Sequence, residues 1–261
     1  MKKRLVSLLL AIVMIVAAVP VTAMAAGTVN VAEDPAVSGY EYAGGTLLLY
    51  GYSTEDTVVV PDGTVIEVVG YNKVGAIEGD TYSITGSGVL EVAGAISGGE
   101  VTVDCGYVTA DSVLVDELTV KHGYTSVSGA VTADEVTVSG GYLSVGGAVT
   151  AEVAVSGGYL EAAGIVGDVT NAGGVVKASA DGIDGDVTAS GGVTYVSNSD
   201  VAISGTVTME GLPIYENPEV KGTMGYIPDD IFYFPSATME EMRKFYKGMY
   251  PRFDDDLYER L

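Results

Sequence analysis

Between Glu100 and about Asp200 the chain repeats one phrase. Acidic residues open successive copies at Asp80, Glu100, Glu117, Glu135, Glu152, Asp168, Asp186 and Asp200, with gaps of 20, 17, 18, 17, 16, 18 and 14 residues. Behind the central openers stand Val101-Thr102-Val103, Leu118-Thr119-Val120, Val136-Thr137-Val138 and Val153-Ala154-Val155. Each copy then reaches a glycine corner and an aromatic: Cys105-Gly106-Tyr107, His122-Gly123-Tyr124, Gly140-Gly141-Tyr142 and Gly157-Gly158-Tyr159. Gly173-Gly174-Val175 and Gly191-Gly192-Val193 are degenerate copies. A short fixed period constrains the fold strongly, because one such unit cannot bury its own apolar face and must stack on its neighbours.

Alternation within a copy sets the type of stack. Val136, Val138, Leu143, Val145, Val149 and Ala151 fall on one side of a period of two, while Thr137, Ser144 and Thr150 fall on the other. The first set is expected inside and the second outside. About 17 residues divide into three short strands plus corners, which predicts an all-β, three-sided parallel β-helix over residues 80–211. Glycine at the corners supplies the positive φ or the close backbone approach that bends require. The interior, rich in Val and Ala, is expected to be filled by side chains and to hold no ligand cavity.

The flanks differ. Lys2, Lys3 and Arg4 precede an apolar run from Leu5 to Val19 and then Ala23-Met24-Ala25-Ala26, so residues 1–26 read as a cleaved secretory signal peptide. No other run is long enough to span a bilayer, and no membrane insertion is expected after cleavage. Residues 27–79 carry Thr46 to Tyr50, Thr57 to Val60 and Thr64 to Val69 around the turn Pro61-Asp62-Gly63; they are expected to form a β-rich N-terminal cap. Residues 212–261 bring most of the prolines and a helix start in which Thr238 is the N-cap and Glu241 completes a capping box. Met242, Phe245, Tyr246 and Met249 follow at helical spacing, which suits a C-terminal cap folded over the last coil.

Two stretches resemble known families. Leu49-Tyr50-Gly51-Tyr52 with Thr57 to Gly63 resembles one unit of the BspA-like leucine-rich repeats of secreted bacterial surface proteins. Gly164-Ile165-Val166-Gly167-Asp168-Val169-Thr170 and Gly185-Asp186-Val187-Thr188, within residues 90–208, resemble bactofilins, the polymer-forming bacterial β-helix proteins. That resemblance implies a short-coil β-helix and end-to-end assembly. Bactofilins are mostly cytoplasmic or membrane-associated, a departure from a chain with a signal peptide.

The chemistry on offer is narrow. With 35 acidic residues against 12 basic ones the net charge is −23, and loss of residues 1–26 makes it more negative still. Such a surface repels nucleic acid and anionic lipid, so neither is an expected partner. Cys105 is the one cysteine, so no intrachain disulfide forms. His122 is the one histidine and stands in the corner slot that Cys105, Gly140 and Gly157 fill elsewhere, which marks both His122 and Cys105 as structural. No zinc-protease, serine-hydrolase or phosphate-loop motif is present, and the coils have few residues to spare for loops around a cleft. A non-enzyme is expected; a polysaccharide lyase or hydrolase, resting on an unmarked acid pair, is a distant third reading.

Stacking multiplies two features. Glu100, Glu117, Glu135 and Glu152, continued by Asp168 and Asp186, form an acidic column that suits Ca²⁺ or is simply a solvated face. Tyr107, Tyr124, Tyr142 and Tyr159 form an outward aromatic column that suits a glycan or else shields the corners. The leading expectation is a non-catalytic, secreted bacterial envelope or extracellular solenoid for adhesion, scaffolding or self-association. The alternative is a glycan-binding module that uses the tyrosines, with or without Ca²⁺. The expected partner is a cell-surface or extracellular glycan or protein.

Overall fold

The computed structural model describes residues 27–197, 203–214 and 217, and in the C-terminal part Thr238, Glu240, Glu241, Arg243, Lys244 and Lys247. Residues 1–26, Asp200 and the apolar positions Met242, Phe245, Tyr246 and Met249 lie outside the described residues.

The chain is a parallel β-solenoid of about nine turns, 72% strand and 3% helix, with coils about 18 residues apart. At ~4.8 Å per rung, nine turns make a rod roughly 43 Å long. Three columns of paired residues define three sides. One runs through Val58, Ile77, Ile96, Val113, Val131, Val149, Ile165 and Ile183. The second runs through Leu47, Ile66, Ile84, Val103, Val120, Val138 and Val155. The third runs through Asn72, Leu90, Val108, Thr125, Leu143, Leu160 and Val176. The core is therefore a line of β-branched and Leu side chains threaded along the axis. Each inward position foreseen from alternation, from Val136 to Ala151, is buried.

The corners need glycine for a concrete reason. Gly123 has φ +75°, and a Cβ there would stand 1.7 Å from the Cys105 carbonyl oxygen of the preceding coil. Coils one rung apart leave no room for a side chain at that bend.

The parallel ladder begins well ahead of Asp80. Thr28–Asn30 pairs with Thr57–Val59, and Thr46–Tyr50 pairs with Thr64–Val69. Residues 27–79 are β-rich as expected, but they already wind as coils. What departs from the repeat is an antiparallel meander of Ala36–Val37, Tyr40–Ala43 and Thr46–Tyr50. At the other end Val207–Met209 pairs in parallel with Val187–Ala189 and in antiparallel fashion with Leu212–Pro213. Further on, Glu240 and Glu241 are helical and the capping box is formed: Thr238 donates its backbone N–H and its hydroxyl to Glu241 Oε2, at 2.7 and 2.8 Å.

Candidate functional site

Period two carries Tyr107, Tyr124, Tyr142 and Tyr159 outward on the third side, each one residue after a corner glycine and one before a buried core residue. Parallel register sets each ring over the next. The rings lie face to face, with centroids 5.2, 5.0 and 4.6 Å apart and planes within 16° of parallel. The rings therefore stack and do not form a strip of open faces. Inner faces are covered by neighbouring tyrosines, so edges and hydroxyls are what the column presents.

Two residues further along each coil runs a second outward column: Glu91, Thr109, Ser126, Ser144, Glu161, Lys177 and Tyr195. The two columns are bonded together. Tyr142 donates to Glu161 Oε2 at 2.7 Å, Lys177 Nζ lies 2.5 Å from Glu161 Oε1, and the Tyr159 and Tyr195 hydroxyls are 3.1 Å apart. Lys177 first, then the Tyr142 hydroxyl, hold the Glu161 carboxyl below the usual range. Burial and then Glu161 push the Tyr142 hydroxyl up, and the Tyr195 hydroxyl bond, followed by burial, pushes Tyr159 up to about 12. Sequence reading missed this second column, because its residue types change from coil to coil.

The acidic column is real as a register. Glu100, Glu117, Glu135 and Glu152 are direct partners in successive coils, and all four are exposed. With Asp116 and Asp134, the last three line a groove of about 530 Å³ that Ala133, Ala151 and Val166 also line. The column nevertheless changes character downstream. Asp168 Oδ1 accepts the Asp186 N–H at 2.9 Å, and Asp186 Oδ1 accepts the Thr206 N–H at 2.7 Å, so those two aspartates tie coil to coil. Among the described residues no three Asp, Glu, His or Cys side chains converge to hold a metal ion. Parallel rungs keep the glutamates in file, and the foreseen Ca²⁺ ligands form a row with no cage.

His122 is not equivalent to Cys105. The register places it against Asp104, and its Nδ1 stands 2.8 Å from Asp104 Oδ1 on the surface. Cys105 points inward with its Sγ 3.7 Å from the Gly88 carbonyl, and burial pushes its thiol pKa up. That is the environment of an inert core residue. No protein-family model matches the chain, and comparison with curated proteins and with solved structures finds no match.

Proposed function

We propose that this chain is a secreted, non-catalytic β-solenoid that acts as a rigid scaffold in a bacterial envelope or extracellular matrix, through adhesion or self-association. The observation that carries this reading is the parallel ladder of the described residues. From Thr46 to Met209 successive coils recur at about 18 residues, so almost every described residue is spent on a side or a corner. Among the described residues of that ladder no loop is left over to wall a substrate cleft of the kind that encloses small ligands. A rod of this kind offers long, regular faces and two ends, which suit attachment and spacing. The bactofilin-like coils add end-to-end assembly to the proposal, and the BspA-like stretch adds a cell-surface setting.

Glycan binding along the third side is a second reading, favoured by the tyrosine column running parallel to the outward Thr109, Ser126 and Ser144 column. It would work through hydroxyl and ring-edge contacts and would not require Ca²⁺. Cell fractionation with an antibody, together with adhesion of protein-coated beads to cells or matrix, tests the leading reading. Export and bead retention are expected. Retention of the protein in the cytoplasm, or release of reducing or unsaturated sugars from a polysaccharide panel, would overturn it.

A further inference from the structure

The tyrosine column begins earlier than its four stacked rings. Tyr71 pairs with Val89 and Val89 pairs with Tyr107, so the column reads Tyr71, Val89, Tyr107, Tyr124 onward. Tyr71 donates its hydroxyl to Glu91 Oε2 at 2.5 Å, as Tyr142 does to Glu161 Oε2 at 2.7 Å. Glu91 stands two residues beyond Val89, and Glu161 two beyond Tyr159. The two tyrosines therefore lean alike, and Tyr71 lies over the rung of Val89 as Tyr142 lies over Tyr159. Below Tyr142 the next ring is 4.6 Å away. Below Tyr71 the side chain is Val89, too short to fill the same place. Tyr107 bounds that place from the other side, its far face already against Tyr124.

Two rungs put the Tyr71 and Tyr107 rings ~10 Å apart, which leaves room for one planar group between two π faces. Both rings are solvent-exposed, Tyr71 at 56% and Tyr107 at 40%. The Glu91 carboxylate stands at the edge of the slot: its Oε2 takes the Tyr71 hydroxyl, and Lys73 Nζ lies 3.9 Å from its Oε1 while pairing more closely with Glu55 at 2.9 Å. Electron-rich faces, a carboxylate at the rim and a chain of net charge −23 select a cation. Of the two side chains that are fully cationic at neutral pH the guanidinium is the flat one: it stacks on aromatic faces while its edge N–H groups bond a carboxylate. An ammonium is compact and strongly hydrated, and a pyranose chair is thicker than one ring. We propose that Tyr71, Val89 and Tyr107 form a slot for one arginine side chain of a basic protein partner, its guanidinium between the rings and its edge on Glu91. The slot exists whatever the rod as a whole is for.

Titration calorimetry of the purified protein with tetra-arginine, tetra-lysine and cellohexaose tests this. Tetra-arginine is expected to bind about tenfold or more tightly than tetra-lysine. Val89→Tyr completes the stack, and it should lower tetra-arginine affinity about tenfold while raising the melting temperature. Tyr71→Ala, at an exposed position, should lower the affinity to a similar degree with no change in the circular dichroism spectrum. Equal binding of the two peptides, or unchanged arginine affinity in V89Y or Y71A, overturns the proposal and leaves only general attraction to an acidic surface. Cellohexaose binding that V89Y abolishes, with tetra-arginine unaffected, would overturn it in favour of a sugar site.

Discussion

Thr125 stands in the third-side core column between Val108 and Leu143, 1% exposed, with no hydrogen-bond partner for its hydroxyl among the described residues. A buried hydroxyl without a partner costs about 1–3 kcal/mol relative to an apolar group of the same shape. Thr125→Val is therefore expected to stabilise the protein by about 1–2 kcal/mol in urea denaturation; a loss of stability would mean that the hydroxyl is satisfied. The paired column beside the tyrosines gives the stability profile two pH limits. The Glu161 carboxyl is held low by Lys177 and Tyr142, so its contribution is present above the unfolded value of about 4.3 and is lost as pH falls through the folded value. The Tyr159 hydroxyl is pushed up to about 12, so its contribution is present below the unfolded value of about 10 and is lost as pH rises from there through about 12. Melting temperature against pH should fall at both ends, with Glu161→Gln flattening the acid limb. Tyr195→Phe should bring one tyrosine's ultraviolet titration to lower pH; an unchanged titration would dismiss the Tyr159–Tyr195 bond. None of these couplings was readable from the sequence, because each depends on Glu161, Lys177 or Tyr195, in a column whose residue types change from coil to coil.

At the scale of the element, the tyrosine ladder behaves as a continuous stack. Tyr124 touches a ring on each side, whereas Tyr107 touches one described ring. A stacked pair contributes about 0.5–1.5 kcal/mol beyond area burial, so Tyr124→Ala should cost about 1–3 kcal/mol and Tyr107→Ala about half as much. Equal losses would show that each ring acts alone. Alternation revealed that these rings point outward, but it carries no information on tilt, and tilt decides whether faces are open or shared. Tyr71 escaped notice for a related reason: the next copy of its Gly-Tyr pair is Gly88-Val89, so the column looks broken in sequence though it is continuous in register. The glutamate row was legible because Glu opens four consecutive copies. Like charges directly opposite destabilise by about 0.2–1 kcal/mol, and Glu135 lies between Glu117 and Glu152. Glu135→Gln should stabilise by about that amount at low salt, and by much less in ~1 M NaCl, where the Debye length is ~3 Å. A gain that survives high salt would point to packing and not to repulsion.

At the scale of the molecule, the coil period was visible wherever corner glycines mark it, and hidden where they do not. The meander of Ala36–Val37 and Tyr40–Ala43 interrupts the first coil, so Val29 pairs with Val58 across 29 residues where later coils need about 18. A longer first gap reads as a separate cap when only spacing is available. At each end of the described ladder one strand edge, that of Thr46–Tyr50 and that of Val207–Met209, is covered by an antiparallel strand, which matters because a parallel stack otherwise presents open N–H and C=O rows that recruit further chains. At the C-terminal end Leu212–Pro213 occupies the edge of Val207–Met209, and Pro213 has no N–H with which to extend the ladder. Glu210 and Gly211, both at positive φ, make the reversal. Deleting residues 212–261 removes this edge strand and leaves Val207–Met209 bare. The truncated protein should pass from a soluble species to filaments or large aggregates in size-exclusion chromatography with light scattering. A truncated protein that stays monomeric would show that residues 212–261 do not guard the stack, whereas filaments from the intact chain would mean that its ends already join.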